Sequence, residues 1–309
     1  MDPRKWLITT ISMMLACLAL IAGFNAAVDI YGLYRPTTGR RLVPFGDERI
    51  AKYLLSVRYV PENFNGILSG ASISANWDTR GIQRLRVYNE SLDGGNLIEE
   101  KAVIESALEK PGLRVAFLLV HPALTYTHEY NTVALTPALK SSALGSSSLW
   151  AAYKEWANVR FGRLTLNSDY AGNETFRHPR SEMNIHMKEM WNAPAFTVDP
   201  LAVQAQRELL AHLRAHGVQV VFIVPPTSED LLRTKGVQMD QYLQAMRSEI
   251  GEGYLWIDFL APEYRDLRRR TNFSDGSHLT PDAAKQVVEH INMAIARWSE
   301  EGRLSVVSK

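Results

Sequence analysis

The sequence predicts a three-layer α/β/α fold, a mainly parallel sheet covered by helices on both faces, preceded by one apolar N-terminal helix. Three observations carry this. Short apolar runs alternate with helical patterns along most of the chain, the order that strands with crossover helices produce. The two clearest runs, 113–120 and 218–224, are apolar at most positions instead of alternating, as strands buried on both faces are. And residues 6–24 carry no charged side chain.

As a helix, residues 6–24 extend about 28 Å, close to the hydrocarbon thickness of a bilayer. Arg4 and Lys5 precede them and the next charge is Asp29, so the positive end is expected in the cytoplasm and the rest outside it. Three alternatives stand beside an uncleaved anchor. A cleaved signal peptide has small residues at Ala26-Ala27, but the apolar run is long for one. A lipoprotein site at Cys17 follows Leu15-Ala16, but the run continues through Leu18-Ala19-Leu20-Ile21. A buried core helix is the third. The uncleaved single-pass anchor fits best and places the chain in the cytoplasmic membrane, its bulk in the periplasm or outside the cell.

A polar connector follows to about residue 65, with a short helix over 48–57 that groups Ile50, Leu54 and Leu55. The first strand, 66–68, runs into Ser69-Gly70-Ala71-Ser72. A helix is expected over 79–85, a strand over 86–88, and a helix over 96–108 that Pro111-Gly112 stops. After the third strand, residues 121–199 break the rhythm. They are too long for a connection and read as a partly helical insertion over that edge of the sheet. This stretch holds Trp150, Trp156, Trp191, Tyr126, Tyr130, Tyr153 and Tyr170, rings that suit a sugar-binding groove or, equally, local core. A helix over 200–216 is closed by Gly217, and Pro225-Pro226 stops the strand 218–224. A helix over 239–250 and a strand over 254–259 come next. The last helix, 281–298, has Thr280 as its cap, Pro281 at its first position and an apolar stripe of Ala284, Val287, Val288, Ile291 and Ile295. The expected organisation is therefore an anchor at 1–27, a connector at 28–65, and an α/β domain at 66–309 with an insertion at about 121–199.

Composition narrows the function classes. A net charge of +1 creates no field that attracts nucleic acid, and Arg40-Arg41 and Arg268-Arg269-Arg270 read as solvated surface charge. Cys17 is the sole cysteine, so no internal disulfide forms, and the exported part suits an oxidising compartment. His212 and His216 have a zinc-like spacing, but Leu213-Arg214-Ala215 between them supplies no catalytic glutamate. His121 with His128, and His178 with His186, show no ligand spacing. Asn173-Glu174-Thr175 has the form of a glycosylation sequon without weight in a chain of bacterial character. There is no Gly-rich phosphate loop, and neither a metal nor a cofactor is expected.

Two segments carry chemistry: Gly70-Ala71-Ser72 after the first strand, and Asp275-Gly276-Ser277-His278 before the last helix. Both fall at the loop ends where a doubly wound sheet gathers its site. A serine hydroxyl needs a base within hydrogen-bond reach, and a carboxylate then fixes the imidazole tautomer. Asp275, three residues before His278, can do this locally, while the fold must bring in Ser72. The structural alternative is that Ser72 binds turn amides and Asp275 steadies the Gly276 turn.

These blocks resemble the SGNH (GDSL-like) hydrolase superfamily, and more narrowly its membrane-anchored exported branch, similar to the alginate O-acetylation proteins and the D-alanylation protein of teichoic acid synthesis. Asp29-Ile30-Tyr31-Gly32 resembles the Asp-Pro-Tyr-Gly that follows the anchor in many such proteins. Gly70-Ala71-Ser72 matches the first family block, Tyr88-Asn89-Glu90-Ser91-Leu92-Asp93-Gly94-Gly95 the second, and Asp275-Gly276-Ser277-His278-Leu279-Thr280-Pro281 the last. The resemblance implies a flavodoxin-like sheet, Ser72 as nucleophile, His278 as base and Asp275 as its orienting partner. It makes Asn89, Ser91, Gly94 and His121 candidates for oxyanion or substrate contacts. Two departures stand out. Ser91 occupies a position usually held by glycine, where its N–H could still donate. The third block's asparagine is missing, because that strand runs into Val120-His121-Pro122-Ala123. An oxyanion donor is worth about 3–4 kcal/mol of barrier, so His121 or an insertion amide replaces it, or catalysis is slow. The exported transfer branch often lacks that asparagine as well.

The function this implies is O-acetylation of an exported polysaccharide through acyl-Ser72, with a multi-spanning membrane acyltransferase as donor partner. The alternatives are a periplasmic esterase with the same triad and a non-catalytic polysaccharide-binding or scaffold subunit.

Overall fold

The computed structural model describes residues 2–126, 132–143, 145–175 and 185–305. His128, Tyr130 and His178 lie outside the described residues, as does the side chain of His186. Strands β1 (Gly66–Ser69), β2 (Val87–Asn89), β3 (Val115–Leu119), β4 (Gln219–Val224) and β5 (Leu255–Asp258) form one parallel sheet in the order β2-β1-β3-β4-β5. This is the doubly wound, flavodoxin-like order, whose direction reverses between β1 and β3 and leaves a crevice outside their carboxyl ends. The helices are α1 (Pro3–Val28), α2 (Glu48–Ser56), α3 (Tyr59–Asn63), α4 (Ser72–Ala75), α5 (Leu97–Leu108), α6 (Pro122–Thr125), α7 (Ala138–Ser142), α8 (Ser147–Arg160), α9 (Ile185–Asn192), α10 (Pro200–Ala215), α11 (Glu229–Ile250) and α12 (Pro281–Glu300).

The continuous apolar run of β3 has a direct cause. Ala116 and Leu118 face one core with Leu54 of α2, Ile104 of α5 and Leu209 of α10. Val115, Phe117 and Leu119 face the other with Val287, Ile291 and Ile295 of α12. Both strand faces are covered, so neither can be polar. Full burial of one such side chain contributes on the order of 2 kcal/mol.

The helix ends follow local chemistry. Asn96 and Glu99 form a reciprocal capping box at α5. Thr280 accepts from the Ala283 N–H at the start of α12. Gly217, with φ +67°, ends α10, and the Val218 N–H turns back to the Leu213 carbonyl.

Two elements differ from expectation. The helix expected over 79–85 is only a 3-10 turn at Thr79–Gly81, because Ile82 is extended and Arg84 adopts φ +65°. α11 begins ten residues earlier than residue 239, since its first turn packs Leu231 and Leu232 against the core, a pair that the mostly polar residues around it hide in the pattern.

α1 runs unbroken through Cys17, is long and apolar enough to cross a membrane, and buries none of its apolar window. That overturns the buried core helix as an alternative. Asp29 ends it in a left-handed conformation, and its carboxylate collects the N–H groups of Leu33, Tyr34 and Arg35. The connector then folds onto the core through Ala51, Tyr53, Leu54 and Leu55. Part of the insertion closes the sheet edge, where the Asn89 N–H of β2 donates to the Ala171 carbonyl.

Candidate active site

Ser72 is the first residue of α4, directly after β1, and 6% exposed. The turn before it leaves no room for a side chain at Gly70, whose Cβ would stand 2.6 Å from Ser74 Oγ and 2.8 Å from Leu119 Cδ2. That close approach to β3 brings Ser72 into the crevice at the reversal of strand order.

The Asp275–His278 block reaches the same place from beyond β5. It is a tight loop closed by the Phe273–Leu279 bridge and by the Ser274 N–H donating to the His278 carbonyl. Asn76, just past α4, donates to the Leu279 carbonyl at 2.8 Å and ties the two segments together.

Within this frame His278 Nε2 lies 2.9 Å from Ser72 Oγ, and His278 Nδ1 lies 2.7 Å from Asp275 Oδ2. The other Asp275 oxygen accepts from the Ser277 and His278 backbone N–H groups at 3.0 and 2.8 Å. Burial alone would push the Asp275 carboxyl up, but the His278 ring and these amides outweigh it and hold the group below the ordinary carboxylate range. An ionised Asp275 keeps the proton on Nδ1, which leaves Nε2 to accept the Ser72 hydroxyl proton. The arrangement meets the geometric requirement for an activated serine.

β1 and β3 are paired neighbours in the sheet, so Ser72 beyond the end of β1 and His121 beyond the end of β3 both lie at the crevice, and His121 is near enough to His278 to feel its charge. His121 caps α6, its Nδ1 accepting from the Ala123 N–H at 3.2 Å, so the proton sits on Nε2. Burial, and then the charge of nearby His278, push its pKa down to about 3. The ring is therefore a neutral N–H donor at physiological pH, the form that polarises a carbonyl oxygen without transferring a proton. Trp191 lies edge-on to it at 6.0 Å and packs in turn on Phe196.

Three other candidates fall into different roles. Ser91 cannot supply a free amide, because its N–H donates to Asn89 Oδ1 at 3.0 Å and the residue is completely buried. Its hydroxyl bonds Ser74 Oγ at 2.7 Å. Asn89 is likewise buried, its amide nitrogen directed at the Ser74, Ala75 and Trp77 carbonyls. The pair forms a clamp on the end of α4, adding a side-chain donor to carbonyls that also accept from the Trp77 and Glu174 N–H groups. Gly94 stands at the exposed tip of the loop, beside the Arg49 guanidinium, which donates to the Asp93 carbonyl.

Sequence reasoning missed the buried charge beneath this clamp. Lys52 of α2 is fully buried, 2.8 Å from Glu48 Oε1 and 3.7 Å from Glu174 Oε1, and donates to the Ser91 carbonyl at 2.5 Å. Burial opposes the ammonium, but Glu48 and Glu174 outweigh it and raise the Lys52 pKa. Burial and the neighbouring Glu48 push Glu174 up to about 9, so one carboxylate of the pair is ionised beside Lys52 and the other is protonated. The one available signal was that Lys52 shares a helix face with Leu55 and Ser56, whereas its spacing from Glu48 reads as an ordinary surface pair.

Among the described residues, the aromatic side chains of the insertion do not form one groove. Trp191 is buried beside His121, Trp150 is exposed, and Tyr170 lies under Arg41. Asn173 is buried against Thr79 and Asp169. His212 pairs with Glu105, and His216 with the His212 carbonyl. Among the described residues, no group of three or more His, Cys, Asp or Glu is placed to hold a metal ion.

No protein-family model matches the chain, and no curated protein matches it. Among solved structures it is similar to a chain from Streptococcus pneumonia that carries the provisional description of a platelet activating factor. The two are 8% identical with a TM-score of 0.44, over 81% of this chain and 90% of that one.

Proposed function

We propose that this chain is a cell-envelope acyl-transfer enzyme that works through an acyl-Ser72 ester, with an exported polysaccharide as acceptor. The observation that carries the reading is the continuous hydrogen-bond series from Ser72 through His278 to Asp275. In the first half-reaction Ser72 Oγ attacks the acyl carbonyl carbon of the donor while His278 Nε2 takes its proton. The tetrahedral oxyanion is stabilised by the neutral His121 N–H. It collapses with cleavage of the donor's acyl bond, and the leaving group takes the proton from His278. In the second half, a sugar hydroxyl gives its proton to His278 and attacks acyl-Ser72, and Ser72 recovers its proton as it leaves.

The apolar α1 supports attachment to the cytoplasmic membrane with the α/β fold outside the cytoplasm. The resemblance of the Ser72 and His278 blocks supports acetyl as the acyl group and a multi-spanning membrane acyltransferase as donor. Near-complete burial of Ser72 and His278 restricts free water, which favours a delivered hydroxyl over hydrolysis. The hydrogen-bonded triad speaks against a purely scaffolding role.

The test is intact-mass analysis of the detergent-solubilised chain after incubation with an activated acetyl ester, beside Ser72→Ala and His278→Ala. One acetyl adduct on the wild type alone is expected, discharged by sugar oligomers with acetylated sugar as product. Discharge to free acetate would make the chain an esterase. Absence of both adduct and ester turnover, or unchanged polymer acetylation in cells carrying Ser72→Ala, would overturn the reading.

A further inference from the structure

We propose that the outer face of α8 is a membrane-interface contact, with Trp150 and Phe161 seated at the headgroup–acyl boundary of the bilayer that α1 crosses. This rests on reading α1 as a span. The inner face of α8 is committed to the protein. Leu149 and Ala152 are buried, and Glu155 accepts from the Gly46 N–H at 2.6 Å. The outer face is not: Trp150 is 74% exposed, and Phe161, just past the helix, is 73% exposed.

The position of α8 relative to α1 identifies the occupant. α1 has 26 residues and so extends about 39 Å, more than the roughly 30 Å of hydrocarbon, and its last turns emerge at the boundary. At that end Phe24 meets Tyr153 of α8 with ring centroids 5.8 Å apart. Ile21 approaches Gly145, just before α8. Positions 150, 153, 157 and 161 recur at helical spacing and lie on one stripe. The stripe that touches the anchor at Tyr153 therefore continues to Trp150 on one side and Phe161 on the other, about 16 Å apart along the axis.

Isolated exposed apolar residues are ordinary. Two large aromatics flanking the exit of an apolar helix are what an interfacial belt requires. Lys154, Arg160 and Arg163 are also exposed here, and cations beside aromatics suit anionic headgroups. With α1 as one attachment and α8 as a second, the fold is held at a fixed height over the membrane, where an acyl group leaving a membrane-embedded donor would emerge.

The experiment uses the full chain in vesicles of phosphatidylethanolamine and phosphatidylglycerol. An environment-sensitive fluorophore is attached to native Cys17, or to Trp150→Cys, Phe161→Cys or Met293→Cys in a Cys17→Ser background. Met293 is exposed on α12, on the opposite side of the sheet. Lipids spin-labelled near the headgroup are expected to quench the fluorophores at 150 and 161 roughly twofold or more and leave the one at 293 unchanged. Quenching at Cys17 by deep spin labels, with none at 150 or 161, would overturn the α8 contact while leaving the span intact. No quenching at Cys17 would overturn the span and this inference with it.

Discussion

Lys52 and Ser91, 39 residues apart, are joined by an ammonium-to-carbonyl hydrogen bond of 2.5 Å inside the core. Ser91 in turn bonds Ser74, and Asn89 beside it holds the carbonyls that end α4, the helix that begins with Ser72. A buried ion pair thus sits one layer beneath Ser72 and holds the Asn89–Ser91 segment that clamps α4.

Lys52→Met should destabilise the fold by about 3 kcal/mol in urea unfolding, because it strands the Glu48 carboxylate. The low end of the usual range applies because the Glu48 side chain keeps 25% of its surface exposed. The double variant with Glu48→Gln should recover much of the loss, since no uncompensated charge remains. A double variant as unstable as the single one would mean that packing, not charge, is what Lys52 supplies.

Asp275→Asn should lower the rate of acetyl-Ser72 formation roughly 10³- to 10⁴-fold with little change in the fold, because an amide no longer enforces the Nδ1 proton. Stopped-time intact-mass measurement of adduct formation reads this directly. A rate within a few-fold of wild type would remove Asp275 from the mechanism.

His121→Ala should reduce acylation by about 10²- to 10³-fold, the size of a lost oxyanion donor, and His121→Asn should retain more because its amide still donates. With a pKa pushed down to about 3, His121 stays neutral over the working range. The pH profile from about pH 4 to about pH 9 should then keep its shape in His121→Asn and change only in height. A profile that loses its acidic limb would show that His121, not His278, titrates in catalysis.

Glu90 is fully buried, and desolvation raises its pKa to about 8, against the lowering effects of Ser56 and Lys52. A carboxyl whose folded pKa is raised costs stability as the unfolded chain ionises and the folded chain does not. That cost is absent below about pH 4.5, grows towards pH 8 and is constant above it. Glu90→Gln should therefore be neutral near pH 4 and more stable than wild type by about 4 kcal/mol at pH 8, read from urea midpoints. A gain that does not grow with pH would mean that Glu90 is already ionised in the fold.

Much of this site was legible in the residues themselves. The Asp275–His278 contact is local, spanning three residues in one loop, so the spacing of the pair already implies it. The strand core of β3 and β4 follows from apolar runs that leave no polar face, and α12 from its cap and stripe. The helix expected over 79–85 failed for the converse reason. Its residues have acceptable propensity, but Asn173 takes the Thr79 N–H and hydroxyl, and the chain turns away to feed β2.

By itself the sequence determined the apolar α1, the alternation that forces a parallel sheet, and the segments bearing Ser72 and His278, because each depends on neighbours within a few residues. The tertiary structure decided which side of those segments faces the chemistry. It turned Ser91 and Asn89 inward as a clamp, buried His121 as a neutral donor near His278, and buried Lys52 among carboxylates. Burial, protonation and hydrogen-bond partnership at these residues are set by groups tens to hundreds of positions away, brought together only when β1 and β3 pair and the loop beyond β5 folds back over them.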